Sequence, residues 1–196
     1  FGQTFSYKGE KFAISLAGVY QKENAVLALN ALEELDRLGW TTTMEQRKDG
    51  LLHTSWKGRF TVINKKPLFI VDGAHNAGAA DKMAESVRHY FNGKKLIYIM
   101  GVFADKEYKI VLEKTAHFAE KIYTIETPDN PRALPAEELA KAARVYNSSA
   151  ESTKSIKDAV EKAFSCAGDD ENSVILAFGS LSFIGALTNA VEEYVG

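Results

Sequence analysis

The sequence predicts an α/β fold, a parallel-type sheet covered by helices on both faces, with a short piece of different architecture ahead of it. Three observations carry this. From Arg59 onward strand-like and helix-like segments alternate, the order that builds βαβ units. Three of the strand segments, PLFIVD, KLIYIMG and SVILAFG, are nearly continuous apolar runs, as strands are when helices cover both faces of their sheet. Each run ends in a polar or glycine-containing loop, where ligands of open α/β sheets bind.

The opening, QTFSY, alternates polar and apolar residues, turns at Lys8-Gly9 and resumes as KFAISL, the pattern of a hairpin with one buried face. From about Gln21 to Leu38, Ala25, Ala28, Leu29, Leu32 and Leu35 recur at helical spacing, with Gly39 placed to cap the C-terminus. Thr43 and Gln46 make a capping-box signal for a short helix ending near Gly50. LHTSWKGRF then breaks the periodicity, and a domain boundary is expected near residues 55 to 58. Beyond it come strands at FTVI and PLFIV, a helix from about Ala77 to Phe91, and a strand at KLIYIM. A helix near Glu107 to Ala119, a strand at KIYTI, a helix after Pro135, a weak strand near Ala150 and a helix after Ser155 follow. The strand SVILAF and a last helix after Leu181 complete the pattern. The loops at Asp72 to Asn76, Gly101 to Lys106, Thr127 to Arg132 and Gly179-Ser180 are expected to line one rim of the sheet.

With 196 residues the chain can bury a core without staples. The single cysteine, Cys166, has no partner for a disulfide, and with four scattered histidines no Cys/His zinc site is expected. A reducing cytoplasm fits this usage. A net charge of −2, from 24 basic and 26 acidic residues, gives no general attraction to nucleic acid or an anionic membrane. The apolar runs fall short of the roughly 20 residues a membrane helix needs. The N-terminus FGQTFSYKGEKF does not read as a secretory signal.

VDGAHN places Asp72 at a strand end, lets Gly73 turn tightly and leaves amides near a helix N-terminus free for an anion. It reads equally as an Asx helix cap beside a surface histidine. Arg59, at the expected boundary, could take a phosphate through its planar fork or be a solvated surface charge. GVFADKE reads by itself as a loop and helix start. Glu137 and Glu138 suit the first turn of a helix after Pro135. Gly179-Ser180 could hold an anion or only turn the chain. His53, His89 and His117 lack partners at ligand spacing, and Cys166 reads as core filler.

Taken in order from Gly18 to Gly185, GVYQKEN, WKGRF, VDGAHN, GVFADKE, TPDNPRALPAEELA and FGSLSFIG resemble the C-terminal part of the folylpolyglutamate synthase/dihydrofolate synthase family, within the Mur ligase superfamily. The resemblance implies a Rossmann-like C-terminal domain over residues 57–196 and, over residues 1–56, the tail of a central ATPase domain. Four positions depart from the family pattern: Tyr20 for a histidine, Lys57 and Ala77 for prolines, and Ser182 for an aromatic residue.

The resemblance implies an ATP-dependent ligase in which a folate or dihydropteroate carboxylate is phosphorylated and the amine of glutamate attacks the acyl phosphate. Asn24, Arg59 and Asp72 would contact ATP. His75, Asn76 and Ser180 would hold the incoming glutamate, with His75 also in a catalytic role. Magnesium is implied as well, with its ligands outside these residues, and a monomer is expected. No G-x-x-x-x-G-K-[ST] phosphate loop occurs, so the chain is expected to be an inactive fragment of the intact enzyme. A peptidoglycan-precursor ligase and a noncatalytic nucleotide- or amino-acid-binding module are the rival readings. A nicotinamide-dependent dehydrogenase is disfavoured because no G-x-G-x-x-G follows an expected strand.

Overall fold

A computed structural model describes residues 2–196. Its first part is local in character. Strands β1 (Gln3–Tyr7) and β2 (Glu10–Ile14) form an antiparallel hairpin. Lys8 and Gly9 between them both have positive φ, 48° and 83°, the turn whose twist matches the strands. Helix α1 (Gln21–Arg37) ends with Gly39 at φ 93°, its N–H donating to Asp36 and the N–H of Trp40 donating to Leu35, which together make a Schellman cap. Helix α2 (Met44–His53) opens on the expected Thr43–Gln46 capping box. It does not stop near Gly50. The Thr54 hydroxyl donates to the Gly50 carbonyl and the His53 ring meets the Asp49 carbonyl, so the last turn is satisfied and the helix continues to His53.

The second part is a six-stranded sheet with the order β3 (Thr61–Lys65), β4 (Leu68–Val71), β8 (Ser173–Phe178), β5 (Lys95–Met100), β6 (Ala119–Thr124), β7 (Ala150–Ser152). Only the β3–β4 pair is antiparallel. Helices α3 (Ala77–Tyr90), α4 (Tyr108–Thr115) and α5 (Ala136–Ala143) cover one face; α6 (Ile156–Ala167) and α7 (Ile184–Val195) cover the other. The strand residues alternate accordingly: Val174, Leu176 and Phe178 pack with α3 to α5, and Ile175 and Ala177 with α6 and α7. Each fully buried aliphatic side chain here contributes roughly 1.5–3 kcal/mol. The helix expected near Glu107 to Ala119 splits, ending as α4 at Thr115 and closing with a 3-10 turn over Ala116–Phe118.

At the carboxyl ends of the central strands the chain is drawn very close. A Cβ at Gly179 would sit 2.4 Å from the Gly101 carbonyl oxygen, and Gly179 has φ 116°, so only glycine serves there. This brings the loops after β5 and β8 together at the rim.

Candidate functional site

Two cavities meet the loop between β4 and α3. The first, about 590 Å³, lies between the N-terminal part and the sheet unit. Its walls are β2 and α1 through Ile14, Asn24 and Ala28, the connecting segment through Trp56 and Arg59, and Asp72, Gly78 and Lys82 from the end of β4 and from α3. Asn24, Arg59 and Asp72, expected as one group from the sequence, do share this cavity.

Asp72 is 4% exposed. One carboxylate oxygen accepts from the Ala74 N–H at 2.8 Å; the other accepts from the Phe60 N–H at 2.9 Å and the Tyr20 hydroxyl at 3.3 Å. Burial pushes its carboxyl above the usual value, against the pull of these donors and of the Arg59 charge. Burial also lifts the Tyr20 phenol, with the Asp72 charge adding to it. Asp72 is not a helix cap. Asn76 caps α3, its side-chain oxygen accepting from Ala79 at 2.9 Å. The Asp72 carboxylate instead fastens Phe60, whose φ of 48° is strained for a bulky residue, while the Phe60 ring stacks on Phe91. Arg59 is pressed over Gly73, where a Cβ would come within 2.9 Å of its guanidinium nitrogen.

The second cavity, about 270 Å³, opens at the rim and is lined by His75, Phe103, Lys106, Arg132 and Gly179 to Ser182. All four loops expected at the rim contribute to it. His75 Nδ1 lies 2.8 Å from the Gly73 carbonyl; a carbonyl only accepts, so Nδ1 is the donor there, and in the neutral ring Nε2 is the acceptor. Ser180 is buried and shares a 2.7 Å hydrogen bond with Ser182. Arg132 forks onto Asp105 at 2.6 and 3.2 Å, with its guanidinium 4.8 Å from the centre of the Phe103 ring; the pairing holds the Asp105 carboxyl below its ordinary value. Asn76 is exposed and lines neither cavity, so the structure gives it the capping role and sets it apart from His75 and Ser180.

Sequence reasoning missed Tyr20, Trp56 and Lys82 as lining residues, and it expected Arg132 at the rim only as the end of a loop, without its pairing to Asp105. Tyr20 stands 52 positions from Asp72, and no local pattern announces the bond; Trp56 lay within a quoted motif whose geometry was not legible. Among the described residues no three His, Cys, Asp or Glu side chains gather into a cation site. No helix among the described residues is long and apolar enough to cross a membrane.

Comparison with known proteins agrees with the fold. The Mur ligase, glutamate ligase domain family model matches residues 58–181. The chain belongs to this family. A dihydrofolate synthase/folylpolyglutamate synthase of Bacillus subtilis is 29% identical over 197 residues, which is 97% of this chain and 45% of that protein. The glutamate ligase fold recurs in E. coli FolC in complex with DHPP and ADP, with a TM-score of 0.81 and 21% identity over 98% of this chain and 44% of that one. It recurs again in a bifunctional folylpolyglutamate synthase/dihydrofolate synthase with Mn, AMPPNP and L-glutamate bound, with a TM-score of 0.77 and 23% identity over 96% of this chain and 44% of that one. The chain spans less than half the length of these relatives.

Proposed function

We propose that this chain is the part of an ATP-dependent carboxylate–amine ligase that sets the nucleotide and the incoming glutamate on opposite sides of one loop, for addition of glutamate to folate, folylpolyglutamate or dihydropteroate. One observation carries the reading: Asp72 borders the cavity shared with Asn24 and Arg59, and His75, three residues on, borders the rim cavity with Ser180. A ligase that activates one substrate with ATP and delivers a second needs two such sites joined by a short rigid element. The relatives support the choice of ligands, since related structures hold ADP, AMPPNP, DHPP or L-glutamate.

In this reading residues 1–56 belong to the central ATPase domain and residues 57–196 form the C-terminal domain. The acceptor carboxylate attacks the γ-phosphorus of ATP and ADP leaves. The glutamate amine then attacks the acyl carbon, phosphate leaves with the bonding pair, and the amine sheds a proton. Arg59 neutralises phosphate charge with a bidentate fork; Asn24 and Asp72 orient the nucleotide. His75 Nε2 accepts from the ammonium or takes the shed proton, and Ser180 holds the glutamate carboxylate. The magnesium that such a reaction uses would be held by residues outside this chain. The protein is taken as monomeric and cytoplasmic, acting on small molecules.

The test is a substrate assay on the full-length enzyme. ADP release that requires glutamate together with dihydropteroate or a folylpolyglutamate is expected, and none from the 196-residue chain alone, which lacks a phosphate loop. Glutamate-dependent turnover with a peptidoglycan precursor in place of the folate would replace this reading with the murein one, and ADP release by the isolated chain would overturn the expectation of inactivity.

A further inference from the structure

The first cavity has one aromatic wall to which the reading above gives no work. Trp56 lies in the segment connecting the two parts. Its carbonyl accepts from the Arg59 N–H at 3.3 Å and the Thr61 hydroxyl at 3.1 Å, so the backbone holds the turn. The indole takes no part in this. It is 62% exposed and borders the cavity, whose lining also includes the apolar residues Ile14, Leu16 and Leu51. The Arg59 guanidinium lies 6.0 Å from its ring centre, the outer edge of a cation–π contact.

The other aromatic ring on this cavity is already committed. Tyr20 gives its hydroxyl to Asp72, and its ring covers Gly18, where a Cβ would fall 2.9 Å from a ring carbon. The other tryptophan, Trp40, is 73% exposed but borders neither the first cavity nor the rim cavity. Trp56 is thus a flat, uncommitted π-surface set beside a phosphate-binding fork. We propose that Trp56 is the platform on which the heterocyclic base of the nucleotide stacks, with Arg59 placed to take the phosphates of the same molecule. Stacking on an indole is favourable for any base and buries apolar area that the free protein leaves in water. The inference rests on the nucleotide reading of the cavity.

Trp40→Phe leaves Trp56 as the sole indole fluorophore of the chain. Titration of this variant with ADP should quench Trp56 emission in step with the calorimetric binding curve. Trp56→Ala should weaken ADP binding about tenfold, Trp56→Phe by much less, and neither should shift the melting temperature, since the side chain is exposed. Binding of inorganic triphosphate, which has no base, should be unchanged in Trp56→Ala. ADP binding with unaltered Trp56 emission, or a Trp56→Ala chain that binds ADP within twofold of the parent, overturns the platform and leaves the nucleotide site standing. A full-length enzyme that takes up no ADP at millimolar concentration overturns both.

Discussion

Residues 2–55 and the sheet unit that follows are built on different terms. Every residue of β8 is buried, and β5 leaves only Lys95 partly open. By contrast α2 buries no residue, and α1 buries only Gln21, Ala25 and Leu29. Leu27, Leu35, Leu38, Trp40, Met44 and Leu52 are exposed large apolar residues, and all belong to the first region. It is shaped by a two-residue turn, a Schellman cap and a capping box, whereas the sheet unit is shaped by side chains that meet across long stretches of sequence. The two meet where Ala17 packs into the core of the sheet unit and through polar ties that include Tyr20 on Asp72, the Val19 N–H on the Ser86 hydroxyl at 3.2 Å, and Glu23 on Lys82 at 3.0 Å. A cavity bounded by one strongly and one weakly held wall is suited to closing on whatever enters it.

Hydrogen exchange tests that contrast most broadly. Amides of residues 2–55 should open more easily than those of β4, β5 and β8, by on the order of 3 kcal/mol, or about a hundredfold in exchange rate. Uniform protection would show that the two regions form one cooperative unit.

A sharper probe is Asp72→Asn. An amide nitrogen placed among the Phe60 and Ala74 N–H donors leaves one of them buried without an acceptor, at a cost of about 2 kcal/mol. Denaturant unfolding should show this loss, and a silent substitution would mean that the carboxylate is not what holds the Phe60 and Ala74 amides. Tyr98→Phe probes the packed side. Among the described residues the Tyr98 hydroxyl is buried without a hydrogen-bond partner, its ring edge-on to Phe178, so its removal should be neutral or stabilise by up to about 1 kcal/mol. A comparable loss of stability would reveal a polar partner.

The smallest effect is electrostatic. Glu151 on β7 bonds Lys121 at 2.8 Å and Lys162 at 2.7 Å, and these two bonds hold its carboxyl down to about 2. A depressed acid stabilises the fold above the unfolded value near 4.5 and loses that contribution as pH falls toward about 2. Because the group is well exposed the total should be under about 1 kcal/mol. Glu151→Gln should flatten that part of the acid limb in a pH series of unfolding curves, and an unchanged limb would remove the network from the account.

Much of this was legible in the sequence, for reasons the two regions make plain. The hairpin turn, Gly39 and the Thr43–Gln46 box depend on neighbours within a few residues. The apolar runs of β4, β5 and β8 follow from burial on two faces, and four loop segments chosen for following strands did converge on the rim. What could not be read were contacts set by topology. That β8 inserts between β4 and β5, that Asp72 meets Tyr20 and Phe60 rather than capping α3, and that Asn76 takes the cap all depend on chain crossings. The same is true of the division of the DGAHN loop between two cavities.

That division is the centre of the functional account, and calorimetric binding to the full-length enzyme tests it directly with two variants. Arg59→Lys keeps the charge but loses the planar fork; it should weaken ADP binding by about 1–2 kcal/mol and leave glutamate binding to the nucleotide-loaded enzyme unchanged. His75→Ala should do the reverse. Such a crossed pattern is the predicted result, and two variants that weaken both ligands alike, or that leave both untouched, would contradict it.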